Sequence, residues 1–233
     1  GFPINEYVRL NFGIGYKSNG ITRLQSYEQI QKFYELYSDP SNPDGSLDFK
    51  SFDLSASISR TTLNRGTFPT DGSQQSLSYK MTTPNSDVNF FKINLDTKWY
   101  FPLTRDQRWT VLTRFQLGYG NGYGTIDGND QVLPFWENFR AGGTGTLRGF
   151  ESNIVGPRAI YRYPTQIPGS PDSVGNSGGC CLGPDHDFIQ TSTKSVGGNA
   201  IALAGIELIV PTPFLDEGYS NSVRTSIFVD AGN

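Results

Sequence analysis

The feature that most restricts this chain is an alternation of apolar with polar or small residues, sustained over long runs. From Val8 every second residue is apolar (Val8, Leu10, Phe12, Ile14, Tyr16), while Arg9, Asn11, Gly13, Gly15 and Lys17 fill the positions between. Side chains of a strand point alternately to opposite faces, so such a run has one greasy face and one polar or empty face. The pattern returns at Phe52, Leu54, Ala56 and Ile58; at Leu77, Tyr79 and Met81; at Phe91, Ile93, Leu95, Trp99 and Phe101; and at Trp109, Val111, Phe115, Leu117 and Tyr119. Two further runs cover 200–210 and 222–230, which makes seven expected strands. Sandwich strands run to about 5 or 6 residues, whereas a tilted membrane strand needs about 9 to 11. Most of these runs are of the long kind. The expected fold class is therefore all-β, an antiparallel transmembrane β-barrel with its apolar stripe toward lipid and its Arg, Lys, Asp, Ser and Gly toward a wet lumen.

Composition removes other classes. With 36% hydrophobic and 18% charged residues the chain is not a charge-rich disordered segment, and a formal charge of −3 gives no basic excess for nucleic acid. A mean hydropathy of −0.41 beside 13% aromatic residues and 27 glycines fits an alternation that averages out. The longest apolar stretch, 200–210, is broken by Gly205 and Glu207 and falls short of the roughly 20 residues of a spanning helix. The adjacent Cys180 and Cys181 could bridge each other only through a small strained ring, and they lack metal-site spacing, so no cofactor or metal is expected. His186, the sole histidine, has no serine nucleophile motif near it, and no enzyme is expected. The start lacks a secretory leader and the end follows directly on a strand, so a piece of a longer chain is expected.

Rings and connections extend the barrel reading. Trp99, Tyr100 and Phe101 close the fourth run, Trp109 opens the fifth and Tyr119 ends it, as in aromatic girdles at membrane interfaces. Turns near 64–73, 103–108 and 212–221 are short, while two connections at the opposite end, 18–47 and 121–197, are long; 84–88 is brief and fits less well. Short periplasmic turns and long external loops are the expected alternation. Leu24, Tyr27, Ile30, Tyr34 and Tyr37 are spaced by three and four, which predicts a short amphipathic helix in the first long loop. The Gly-rich run 118–124 has no following helix and reads as a flexible strand exit; Asp127-Gly128-Asn129-Asp130 reads as a polar turn, without the closing Glu of a calcium loop.

A connection of more than 70 residues is rarely a plain linker. This one contains Asn138-Phe139-Arg140-Ala141-Gly142-Gly143-Thr144-Gly145-Thr146-Leu147-Arg148-Gly149-Phe150-Glu151-Ser152-Asn153, followed by Gly156-Pro157. Leu147-Arg148-Gly149-Phe150 behind its Gly-rich approach resembles the signature of the sixth extracellular loop in the outer-membrane assembly barrels of the bacterial surface antigen family. Stretches 1–7, 65–72, 197–200 and 211–214 resemble the same family in matching order, so the resemblance covers nearly the whole chain.

Parity identifies partners for that loop. Glu207 shares a face with Ile201, Leu203 and Gly205, opposite Ile206, Leu208 and Val210, which suit lipid; Asp230 shares a face with Arg224, Ser226 and Phe228. Two inward carboxylates on neighbouring strands form a negative site, and Arg148 from a folded-in loop is the candidate that would neutralise it through forked hydrogen bonds. From the residues alone, the favoured arrangement is a solvated Arg148 at the loop tip above two ordinary lumen acids. The resemblance implies the first arrangement, with Arg148 paired to Glu207 and Asp230, Gly149 letting the backbone approach the wall and Phe150 filling the space beside it.

The resemblance further implies a barrel of about sixteen strands, of which about seven lie here. It implies a non-enzymatic factor of the Gram-negative outer membrane that folds and inserts β-barrel proteins, with unfolded outer-membrane proteins as substrates and lipoproteins of the assembly complex and membrane lipid as partners. A porin, or a barrel transporting solutes or polypeptides, is the alternative. The adjacent Cys180-Cys181 departs from the separated pair of some relatives, which leaves the local loop path open.

Overall fold

The computed structural model describes residues 1–21, 33, 36–37, 47–164, 166–167, 180–181, 187–212 and 223–233. In chain order the strands are β1 (Phe2–Pro3), β2 (Val8–Ile21), β3 (Leu47–Thr61), β4 (Gly72–Thr82), β5 (Phe90–Pro102) and β6 (Thr110–Gly122). The short loop strands follow: β7 (Thr125–Ile126), β8 (Asn129–Asp130), β9 (Arg158–Pro164), β10 (Gln166–Ile167), β11 (Cys180–Cys181) and β12 (Asp187–Ser195). Last come β13 (Ala200–Val210) and β14 (Thr225–Gly232). One antiparallel sheet holds β1-β2-β3-β4-β5-β6-β13-β14 in that order and does not close on itself. The seven expected runs are its seven long strands, and β1 adds a two-residue edge pairing Phe2 with Leu10.

Register carries the apolar stripe from strand to strand. Tyr16 faces Phe52, Ile14 faces Leu54, Tyr79 faces Ile93, Leu95 faces Leu117, and Val111 faces Leu208. These side chains lie on the uncovered face: Ile14 is 84% exposed, Leu117 51% and Phe52 49%. A contiguous apolar surface of this extent needs a nonaqueous partner, and in a barrel that partner is lipid. The chain has no helix long and apolar enough to cross a membrane among its described residues.

Connections at one end, 62–71 and 103–109, are short; at the other, 123–199 is long and 22–46 intermediate. The brief 83–89 turn at that end is held down by Val88, which is 2% exposed in an aromatic cluster with Phe33, Phe49, Phe90 and Leu133. Phe33, Leu36 and Tyr37 are helical, so part of the expected helix is seen. Leu24, Tyr27, Ile30 and Tyr34 lie outside the described residues, as do His186 and most of the 212–221 turn.

Two expectations need correction. Tyr100 is not a girdle ring: its parity is that of Lys98, and the Arg224 guanidinium lies 5.9 Å from its ring while donating to the Pro69 carbonyl at 2.6 Å. Phe101, Trp109 and Tyr119 do lie on the uncovered face. The 118–124 segment is likewise no loose exit, because Gly118, Gly120 and Gly122 belong to β6 and serve the lumen face described next.

Candidate functional site: the loop folded against the lumen wall

The long connection lies along the polar face of the sheet. Its first arm follows the glycine positions of β6: a Cβ on Gly118 would sit 2.5 Å from the Phe139 ring, and one on Gly122 would sit 2.2 Å from the Gln131 carbonyl oxygen. The missing side chains leave room for the loop, a function that alternation in the sequence does not announce. Phe139 bridges to Gly198 and Ala141 to Val155, which folds the loop back on itself. Leu147, 2% exposed, packs with Ala141, Ile201 and Leu203; two inward-facing apolar residues of β13 are thereby covered by the loop rather than by lipid. Farther out, β9 and β12 pair as a hairpin, and residues 125–130 form the polar turn, with Asp127 and Gly128 at positive φ of 50° and 83°.

Arg148 reaches two strands at once. Its Nη1 donates to Glu207 Oε2 at 2.5 Å, its Nε to Asp230 Oδ2 at 2.9 Å and its Nη2 to Asp230 Oδ1 at 3.1 Å. The Arg148 backbone N–H also donates to Asp230 Oδ2, at 3.1 Å. The guanidinium carbon lies 3.6 Å from the centre of the Phe228 ring, a face-on cation–π contact. Hydrogen bonds to Asp230 and then Glu207 hold the guanidinium even more firmly protonated than usual, despite its partial desolvation. Asp230 is 2% exposed at its side chain, and a carboxylate so enclosed requires this many donors. Gly149 follows at φ 86°, a left-handed turn that a residue with a Cβ adopts only under strain.

The structure thus brings Leu147, Arg148, Glu207 and Asp230 together. Phe150 is elsewhere: it is 54% exposed, because the chain reverses at Gly149 and the Phe150 carbonyl turns back to accept from Gly143 N. Leu147 and Phe228 occupy the flanks expected for Phe150. Arg114 is a partner that sequence reading misses. Its Nη2 donates to Asp230 Oδ2 at 2.6 Å and to the Thr146 carbonyl at 3.2 Å. Its parity with Gln116 places it on the lumen face, but only the register, which sets both Arg114 and Asp230 opposite Gly205, brings it to the acid.

A second charged cluster has no counterpart among the sequence expectations. The 3-10 turn Phe135–Glu137 sends Phe135 and Trp136 into the aromatic cluster and Glu137 toward the wall. Lys80 Nζ meets Glu137 Oε1 at 2.7 Å, Lys92 Nζ meets Oε2 at 3.3 Å, and Lys17 Nζ meets Oε1 at 3.4 Å. Lys92 also donates to the Glu137 main-chain carbonyl at 2.6 Å, and Asp53 lies 3.4 Å from both Lys17 and Lys80. Burial alone would raise the Glu137 carboxyl, but the Lys80 hydrogen bond and the charges of Lys80, Lys92 and Lys17 outweigh it and hold the group below its ordinary range. No group of three or more His, Cys, Asp or Glu able to hold a metal occurs among the described residues.

Comparison with known proteins gives this geometry a context. The Omp85 superfamily domain matches residues 1–233. The outer membrane protein assembly factor BamA of Neisseria meningitidis serogroup B is 26% identical over 235 residues, covering 99% of this chain and 25% of that protein. The crystal structure of BamA from Haemophilus ducreyi lacking POTRA domains 1–3 superposes with a TM-score of 0.80 at 31% identity, over 99% of this chain and 39% of that one. The chain therefore spans about a quarter of the length of the curated relative.

Proposed function

The chain belongs to the Omp85 superfamily of outer-membrane β-barrels, and from that premise we propose that it supplies wall and inner loop to a factor that folds and inserts β-barrel proteins into the outer membrane. The observation that carries this reading is the long loop tied into the lumen by Arg148 between Glu207 and Asp230. The loop braces strands whose pairing would otherwise rest on backbone hydrogen bonds alone, a support suited to a barrel that handles other polypeptides. Arg148 links β13 to β14 and Arg114 links β6 to β14 through the same carboxylate, so three neighbouring strands share one ionic knot. The names of the two similar proteins support the same assignment.

On this reading the substrates are unfolded outer-membrane proteins, the partners are the lipoproteins of a BAM complex, and the exposed apolar stripe meets lipid. The test is reconstitution of the full-length protein in liposomes, followed by addition of a urea-denatured reporter barrel. Assembly activity predicts faster appearance of heat-resistant, protease-protected reporter than in empty liposomes, and slowing by Arg148→Glu. Steady ion conductance with no effect on reporter folding would instead favour the porin or transport reading that the superfamily also accommodates.

A further inference from the structure

We propose that Glu137 is a second anchor of the long loop, opposite in polarity to Arg148, which positions the first arm of the loop against the wall independently of the Arg148 knot. β2, β3, β4 and β5 each contribute one charged lumen residue at the same level, namely Lys17, Asp53, Lys80 and Lys92. Three ammonium groups beside one wall carboxylate leave a positive excess in a half-dry space. The loop provides the second acid in Glu137, with its side chain 15% exposed. Both carboxylate oxygens and the main-chain carbonyl of Glu137 are engaged, so the turn is fixed at its backbone as well as its tip.

The neighbours of Glu137 make the contact a positioning device. Phe135 and Trp136 pack on Phe33 of the first long loop at centroid distances of 5.7 and 5.3 Å. Two residues beyond Glu137, the Phe139 ring lies on Gly118 and beneath Lys92 Nζ, 4.6 Å from its centroid. A turn that inserts its acid among lysines of the wall therefore sets both the aromatic cover at the loop end of the barrel and the start of the arm leading to Arg148. The Arg148 knot lies on β6, β13 and β14 and shares no residue with this cluster. Opposite polarity keeps the anchors from exchanging places, because Glu137 is repelled by Glu207 and Asp230 and Arg148 is repelled by the lysines.

The test reads where the loop opens. In the full-length protein, with Cys180 and Cys181 replaced by Ser, single cysteines are introduced as Leu133→Cys beside the first anchor and Leu147→Cys beside the second. Labelling of intact cells by a membrane-impermeant maleimide is then measured. The expected result is a rise of about tenfold or more at position 133 on Glu137→Lys, with position 147 unchanged, because local opening need not spread through the whole structure. Arg148→Glu should give the converse, and Lys80→Glu combined with Glu137→Lys should restore protection at 133. Heat-dependent gel migration reports that the barrel is intact, and Glu137→Gln is read instead if the Glu137→Lys variant loses it. Unchanged labelling at 133, equal exposure of both sites, or no restoration by the swap would overturn the proposal. None of these readouts depends on assembly activity.

Discussion

The two charged contacts of the long loop solve one problem with opposite chemistry. At β6, β13 and β14 the loop brings a cation to buried acids; at β2 to β5 it brings an acid to lysines. The Arg148 contact is a fixed fork on a carboxylate 2% exposed, with a ring stacked on the guanidinium. The Glu137 contact is a balance of charge among flexible lysines, one of them 48% exposed. The first should therefore be intolerant of geometric change and the second tolerant of it, although both hold the same segment.

The sharpest way to break that contrast is Asp230→Ala. This change leaves the charges of both Arg148 and Arg114 without their shared partner and should cost about 3 to 5 kcal/mol in urea unfolding of the detergent-solubilised full-length protein. Arg148→Lys keeps the charge but loses the fork and the stacking, so a loss of about 2 kcal/mol is expected. If the Arg148→Lys variant retains the wild-type midpoint, charge alone suffices and the supposed geometric demand of this site is wrong.

The glycine track gives a test from the wall side. Gly122→Ala places a methyl 2.2 Å from the Gln131 carbonyl oxygen, which is backbone and must move as a unit. A loss of about 1 to 3 kcal/mol is expected, with increased labelling at Leu133→Cys. Gly66→Ala, where a Cβ meets nothing within 4 Å, is the matched control and should leave both unchanged.

How much of this is legible in the sequence follows the same division. Alternation places all seven long strands, and parity puts Glu207 and Asp230 inward, because both are local properties of a strand. Arg114 escapes because its role depends on register across two strand pairs, through Gly205. Glu137 escapes because nothing periodic surrounds it: its partners come from three strands and its placement from the aromatic packing of Phe135 and Trp136. Phe150 is misplaced because the resemblance supplies a motif without the reversal at Gly149. The glycines of β6 read as freedom in the sequence, whereas their role is to be overlaid by the loop.

Acid provides a smaller and more selective perturbation. Glu137 faces Lys17 from β2, Lys80 from β4 and Lys92 from β5, with Asp53 of β3 behind two of them. Its carboxyl is held below the ordinary value in the folded state, so its contribution is fully present above the unfolded pKa of about 4.3 and is lost as pH falls through the folded value. Labelling at Leu133→Cys should therefore stay flat as the protein is pre-incubated between about pH 5 and 8 and rise only after exposure below about pH 4. Tyr37, pushed up to about 12 by burial and by Asp87, stays neutral throughout and keeps its hydrogen bond to Gln131. A rise already between about pH 5 and 7 would mean that a group other than Glu137 controls the arm.

The smallest effect belongs to Lys17, and it separates charge balance from specific pairing. Its two contacts are both 3.4 Å long and its side chain is 48% exposed, so water competes for the ammonium. Lys17→Met keeps most of the apolar stem and should change the unfolding free energy by no more than about 0.5 kcal/mol, as for an exposed ion pair. Lys80→Met removes the 2.7 Å contact with Glu137 from a side chain only 23% exposed and should cost distinctly more. Equal losses in the two variants would mean that Glu137 senses only the number of positive charges nearby; the expected inequality assigns its position to Lys80 and Lys92, with Lys17 as a solvated bystander.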